Sequence, residues 1–450
     1  MTRQMQNSSR FALLLLSGLL ALGTVHAQET EEERRDQQQT KEAQAVSKEV
    51  YDKIQQAQEA VEAKNYQGAL RTLTALRQGK LTDYELSNVL NYIGFVYYNM
   101  DDTARAMSTY EEMLRIPTLE EQIRKQTLYT LAQLATMEED YQKAMNFLDQ
   151  WFALETNPAP EPYILYAQNL YQVDRYSDMV RPIETAMEIA RKRQTEIKED
   201  WYVLLNFAYF QQENFAKVKD INKILLQNWP KKRYWFQLAG AYTELGEDIN
   251  LVAAYDAAHT QGLLTTESEL VTMAQLYMQQ EVPYKAAKLL ETEMESGRVS
   301  KDAKNYRLLS QAWSLAMEDQ KSIPALREAA RLGNDAELYV RLGNAYLNMG
   351  EHEDCISSVN RGLEMGGLDS ADNARVSLGM CLYNLKRYND AIATFRQAAR
   401  SERSRRLANQ WITVIESDIA RDEQIRLAEQ AAQRQRERLQ SRRQQTGLGL

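Results

Sequence analysis

Histidine is nearly missing from this sequence, cysteine occurs twice, and proline occurs eight times in 450 residues. Each shortage removes a class of explanation. Two cysteines cannot build a disulfide framework, although an oxidising compartment permits one bridge between Cys355 and Cys381; the other reading is two small buried apolar side chains. Beyond the N-terminal segment only His259 and His352 remain, so catalysis would lack its usual proton carrier. No Gly-x-Ser-x-Gly, phosphate-binding Gly-Lys-Ser/Thr or His-Glu-x-x-His pattern occurs. The one metal-like cluster is His352-Glu353-Asp354-Cys355. Four consecutive residues at a helix start point in different directions, so no metal is expected there and no cofactor elsewhere. The chain is read as a scaffold and not as an enzyme. Alternating Val, Ile and Thr runs bounded by Asn-Gly are absent too, which excludes a β-rich fold and leaves an all-α one.

Long hydrophobic runs are also lacking. The one candidate, Phe11 to Leu22, covers about 12 residues, where a membrane-spanning helix needs about 20. Arg3 and Arg10 precede or open it and Val25-His26-Ala27 follows, so residues 1–27 read as a signal peptide cleaved after Ala27. No cysteine follows the cleavage site, which argues against a lipoprotein signal. The expected location is the periplasm, with the mature chain soluble. Removing Arg3 and Arg10 from 54 basic residues leaves 52 against 63 acidic ones, a net charge of −11 that disfavours nucleic acid as a partner.

Residues 28–47 carry almost no apolar side chains and read as a charged, disordered leader. From about residue 48 to 400, apolar residues recur at helical spacing in paired segments, and one pattern returns about every 33 to 39 residues. Its clearest instances are Leu342-Gly343-Asn344-Ala345-Tyr346 and Leu378-Gly379 followed by Leu382, Ala391, Phe395 and Ala398. The equivalent large position falls at Tyr97, Ala135, Leu170, Tyr209, Tyr242, Tyr277, Trp313, Tyr346 and Leu382, with a weaker repeat before them around Tyr66 to Leu76. A small residue precedes it at Gly94, Ala132, Ala167, Ala239, Ala274, Gly343 and Gly379; Asn206 and Ser310 depart from this, so splayed or shifted hairpins are expected there. Residues 401–420, with Leu407, Trp411, Ile412 and Ile415, suit a capping helix, and 421–450 an Arg/Gln-rich tail that is helical or disordered.

This period and these residues resemble the tetratricopeptide repeat. The resemblance implies a right-handed superhelical solenoid of about ten helix-turn-helix repeats with a C-terminal capping helix, because a single hairpin cannot bury both of its faces. It also assigns a concave groove to the first helix of each pair. At the family's groove positions stand Asn91, Phe95, Tyr98, Asn99, Tyr129, Gln133, Gln168, Tyr171, Phe207, Phe210, Phe236, Gln275, Asn344, Asn348, Tyr383 and Asn384. Amides donate to and accept from a peptide backbone at once, and with aromatics beside them they favour an extended polypeptide over a phosphate. The basic run Lys231-Lys232-Arg233 is expected in a turn between repeats, with Trp235 at a core position. The Arg-rich tail is a second surface, able to make peripheral contact with the envelope.

Export signal, acidic leader, about ten divergent repeats and an Arg/Gln-rich helical end together resemble the repeat protein that accompanies some TonB energy-transduction systems. That resemblance implies an accessory role in outer-membrane uptake of iron chelates, with TonB, ExbB or ExbD components as partners. A peptidoglycan or envelope-assembly scaffold is the alternative.

Overall fold

The structure, a computed structural model, describes residues 46–445 and 447. The expected signal peptide, the leader up to residue 45 and the end of the chain lie outside the described residues. Those described form 21 helices and no strand. They divide into two compact units, the first ending at Ile197 and the second beginning at Lys198.

In the first unit α1 (Lys48–Glu62) pairs with α2 (Tyr66–Arg77), α3 (Asp83–Asn99) with α4 (Thr103–Leu114), and α5 (Glu121–Met137) with α6 (Tyr141–Leu154). The fourth pair is α7 (Pro160–Gln172) with α8 (Val180–Lys192), joined through a 3-10 turn at Tyr176–Met179. The second unit holds α9 (Glu199–Gln211) with α10 (Phe215–Asn228), α11 (Lys232–Glu244) with α12 (Asp248–Thr260), and α13 (Glu267–Gln279) with α14 (Pro283–Glu295). It continues with α15 (Ala303–Leu315) and α16 (Asp319–Gly333), α17 (Ala336–Met349) and α18 (His352–Met365), and α19 (Ala371–Asn384) and α20 (Tyr388–Ala398). A single long helix, α21 (Glu402–Gln445), packs on the last pair. Within each unit every helix touches its neighbours in the chain, the arrangement of an all-α helical-repeat solenoid.

All ten hairpins turn in the same way. One residue between the paired helices adopts the left-handed conformation: Lys64, Asp101, Glu139, Asp174, Glu213, Gly246, Glu281, Met317, Gly350 and Lys386. The N–H of the next residue then reaches back to a carbonyl of the first helix, closing a helix C-terminus that would otherwise leave its acceptors unpaired. Those carbonyls belong to Tyr97, Ala135, Leu170, Tyr209, Tyr242, Tyr277, Trp313, Tyr346 and Leu382, and to Ala60 in the first pair, at 2.7 to 3.0 Å. The large position read from the sequence is therefore also the anchor of each turn. Only two turns use glycine, so the motif carries no glycine signature.

The small positions work as close contacts. A Cβ on Gly94 would lie 2.7 Å from the Tyr110 ring, one on Gly379 2.7 Å from the Phe395 ring, and one on Gly343 2.3 Å from Val359. The two departures from this pattern are not splayed. Asn206 accepts a 3.0 Å hydrogen bond from the Nδ2 of Asn222 in the paired helix, and the Ser310 hydroxyl meets that of Ser322 at 3.2 Å. A polar side chain fits at a helix crossing when the facing helix supplies a partner. The expectation for Trp235 needs correction. Tyr234 is the fully buried residue, while Trp235 is only half-buried.

Successive hairpins are also latched by a carboxylate near the start of the first helix. Glu85 accepts from the Ser47 backbone N–H, Glu199 takes Lys231 and Arg233 as ion-pair partners, and Glu269 pairs with Lys232. Glu267 accepts from Asn305, Glu337 from the Asp369 N–H, and Asp372 from Ser401 and Ser404. Lys231, Lys232 and Arg233 thus pair with Glu199 and Glu269 from the surface, and only Lys231 lies in the turn between repeats, Lys232 and Arg233 opening α11.

Candidate functional site

A first helix of each pair has one stripe turned into the stack and another turned outward. On α3 the inward stripe is Val89, Ile93 and Val96, all buried, and the side chains between them, Asn91, Phe95, Tyr98 and Asn99, remain exposed or half-buried. The same division holds at every predicted groove position: none of the sixteen is buried. They fall into two sets, one on each unit.

On the first unit the set is Asn91, Phe95, Tyr98, Asn99, Tyr129, Gln133, Gln168 and Tyr171, from α3, α5 and α7. The aromatics there are not loose. Tyr98 packs against the core, Tyr129 lies 5.7 Å from the Trp151 ring, and Tyr171 lies 5.8 Å from Tyr176. Burial, with a smaller contribution from Glu161, pushes the Tyr129 phenol up to about 12, so it stays a neutral donor. Asn99 donates to the Phe95 carbonyl at 2.8 Å and keeps its amide oxygen available. Asn91, Gln133 and Gln168 make no side-chain hydrogen bond among the described residues.

On the second unit the set is Phe207, Phe210, Phe236, Gln275, Asn344, Asn348, Tyr383 and Asn384, from α9, α11, α13, α17 and α19. Phe210 is 54% exposed and meets Phe215 edge-on, and Phe236 packs edge-on against Tyr255 of the paired helix. Tyr383 is already occupied. Its hydroxyl donates to Asp418 at 2.7 Å and its ring lies 5.3 Å from Trp411, both on α21. Asn344 differs from the other amides: its Oδ1 is buried and has no hydrogen-bond partner. An unpaired buried acceptor costs roughly 1–3 kcal/mol. Asn348, one turn further along α17, is exposed.

The cysteines are joined. Sγ of Cys355 on α18 lies 1.95 Å from Sγ of Cys381 on α19, across two neighbouring hairpins, and both residues are fully buried. Cys355 therefore has no thiolate to offer beside His352. His259 faces the buried Glu293 at 3.5 Å, and Arg298 pairs with the same carboxylate at 2.6 Å.

The cap and the tail are one helix. Ser404, Ala408 and Ile415 form the buried face of α21, and Trp411 stacks on Phe395 at 5.9 Å; Leu407, expected in that stripe, is 46% exposed. Beyond Ile419 every described side chain is exposed through Arg442. That projecting part, residues 420–445, is about 39 Å long at ~1.5 Å per residue. No helix among the described residues is long and apolar enough to cross a membrane.

Stacked hairpins of this kind define an all-α helical-repeat solenoid. The family model "Tetratricopeptide repeat" matches residues 336–365 and 373–405, which cover α17 to α20 and the first residues of α21, so the chain carries tetratricopeptide repeats. A comparison with curated proteins finds no match. Among solved structures the chain is similar to a tetratricopeptide repeat protein from Parabacteroides merdae, at 15% identity and a TM-score of 0.35, over 60% of this chain and 100% of that one. It is similar also to MamA, at 21% identity and a TM-score of 0.32, over 38% of this chain and 90% of that one. YrrB, a tetratricopeptide protein described as having an unusual peptide-binding site, shares 17% identity at a TM-score of 0.34, over 42% of this chain and 95% of that one. Nothing about partners follows from these likenesses.

Proposed function

We propose that this protein is a periplasmic interaction scaffold that holds an extended segment of a partner protein against the first-helix face. Tetratricopeptide repeats generally mediate protein–protein interactions. The observation that carries the reading is the row of accessible amides, Asn91, Gln133 and Gln168 on the first unit and Asn348 on the second. Each can donate and accept at once, which suits the N–H and C=O groups of a strand-like peptide laid along the first helices. Export is supported by the charged and apolar pattern of residues 1–27.

The partner we propose is a component of a TonB system for iron-chelate uptake, TonB itself or ExbB or ExbD. Support for it is the overall layout: export signal, acidic leader, ten hairpins and an Arg-rich helical end. A proline-rich extended segment has no internal hydrogen bonds, and a face of amides and aromatics can satisfy its backbone and stack its rings. The test is a crosslinking pull-down of the tagged protein from envelopes of iron-limited cells, read by mass spectrometry. Recovery of TonB, ExbB or ExbD supports the assignment. Recovery of cell-wall synthases or outer-membrane assembly factors in their place transfers the scaffold to envelope assembly.

A further inference from the structure

Beyond Ile419, α21 has no buried side chain among the described residues. Alanine, glutamate, glutamine and arginine there favour a helix, but most helical stability comes from a face that packs on something. One stripe is available for that. Ile425, Ala428, Ala432, Gln435, Leu439 and Arg442 recur at alternating steps of three and four, the seven-residue repeat that keeps one seam of two paired helices in contact. Ile425 is 50% and Leu439 53% exposed, Ala428 and Ala432 are exposed, and Leu427 lies off the stripe.

Charge is segregated along this helix. Residues 416–429 hold five acidic side chains against two arginines, and residues 434–442 hold four arginines against Glu437. Two such helices running in the same direction set like charge beside like; running in opposite directions, they set acid beside arginine. The flank of the stripe fixes the register. Glu429 and Arg436 stand seven apart on that flank, exposed and without an ion-pair partner among the described residues. Arg421 and Arg426, by contrast, are taken by Asp418 at 2.8 Å and Glu423 at 2.6 Å on their own helix. With Ala428 opposite Leu439 of an antiparallel second copy, Glu429 faces Arg436 of that copy, and two-fold symmetry repeats the pair. The small alanine receives the large leucine, and Ile425 meets the aliphatic stem of Arg442. A slip of seven residues brings Glu429 against Glu429 in one direction and Arg436 against Arg436 in the other.

We propose that residues 425–442 of two copies pair as an antiparallel coiled coil, which makes the projecting end of α21 the surface through which the protein dimerises. The pairing does not depend on what the first-helix face holds.

The experiment is sedimentation velocity of the full mature chain over a concentration series up to about 50 μM, at the top of which the parent should be dimeric. Ile425→Asp with Leu439→Asp puts charge into the seam and should raise the dimer dissociation constant at least about tenfold. Both side chains are exposed in the single chain, so near-UV circular dichroism of the hairpins should stay the same. Glu429→Arg should weaken the dimer by setting arginine against arginine, and Glu429→Arg with Arg436→Glu should restore it. A parallel pair gives no such rescue, because positions 429 and 436 do not meet in it. Oxidation of an equimolar mixture of Ala428→Cys and Leu439→Cys chains should join one variant to the other, the native cysteines being already paired. A parent that stays monomeric through the series overturns the proposal, as does a dimer that the two aspartates leave intact or an Ala428→Cys chain that crosslinks preferentially to itself. Binding of a monomeric parent to phosphatidylglycerol vesicles, lost in the same aspartate variant, assigns the stripe to lipid and overturns it equally.

Discussion

Two glycines on first helices meet opposite surroundings, and the contrast separates helix propensity from packing. Gly240, in the middle of α11, has nothing within 4 Å of a built Cβ. Gly240→Ala should stabilise the protein by about 0.5–1 kcal/mol, since alanine restricts the unfolded chain and favours the helix. A Cβ on Gly343 would lie 2.3 Å from the Val359 side chain and 3.2 Å from the Cys355 carbonyl. Gly343→Ala should therefore destabilise, because overpacking of about 1–3 kcal/mol outweighs the propensity gain. Urea denaturation of both variants checks the pair, and stabilisation of both would mean that the helix crossing at Gly343 is looser than these distances require. These small positions are legible in the sequence because spacing alone marks them. The side chains that replace them are not: nothing at Asn206 or Ser310 shows that Asn222 and Ser322 face them, since those partners lie 16 and 12 residues away.

The element scale belongs to the turns, the latches and the disulfide. The left-handed residue of each turn is invisible in the sequence because eight of the ten positions are not glycine. The latching carboxylates are equally hidden, since an acid in a first helical turn reads as ordinary dipole compensation. Their protonation is measurable. Burial raises the Glu85 carboxyl, but hydrogen bonds from Ser47 and Thr82 outweigh it and leave it below the ordinary 4.5. At Glu199 and Glu269 burial is likewise overcome, by Lys231, Tyr234 and Arg233 at the first and by Lys232 and backbone N–H groups at the second. A carboxyl lowered by folding contributes stability that is fully present above its unfolded value and lost as pH falls through the folded one. Thermal midpoints should hold above pH 4.5 and decline below it, and Glu199→Gln should start lower and decline less. A midpoint that rose on acidification would contradict the latches. The disulfide clamps α18 to α19 across 26 residues. Cys355→Ala with Cys381→Ala should cost about 2–4 kcal/mol in denaturant titration, against little change if the thiols only fill space.

At the scale of the whole molecule, ten hairpins follow from one repeated pattern, and the residue spacing alone is enough to read them. The division at Ile197 and Lys198 is not legible in that way, because the polar stretch Arg193–Glu196 resembles any other turn between repeats. The predicted face shows in the sequence as a stripe of amides and aromatics. Which of its members stand free does not: Tyr383 is taken by α21 and Phe236 by Tyr255, through contacts that repeat positions do not encode. The exposed amides are the residues at which the central claim can be tested most cleanly, since truncating a side chain in water need not weaken the fold. The decisive measurement is the envelope pull-down repeated with Asn91→Ala, Gln168→Ala and Asn348→Ala together, alongside the thermal midpoint of the same variant. Loss of the captured partner at an unchanged or higher midpoint is the expected result. Undiminished capture by that variant would contradict a partner held on the first-helix face.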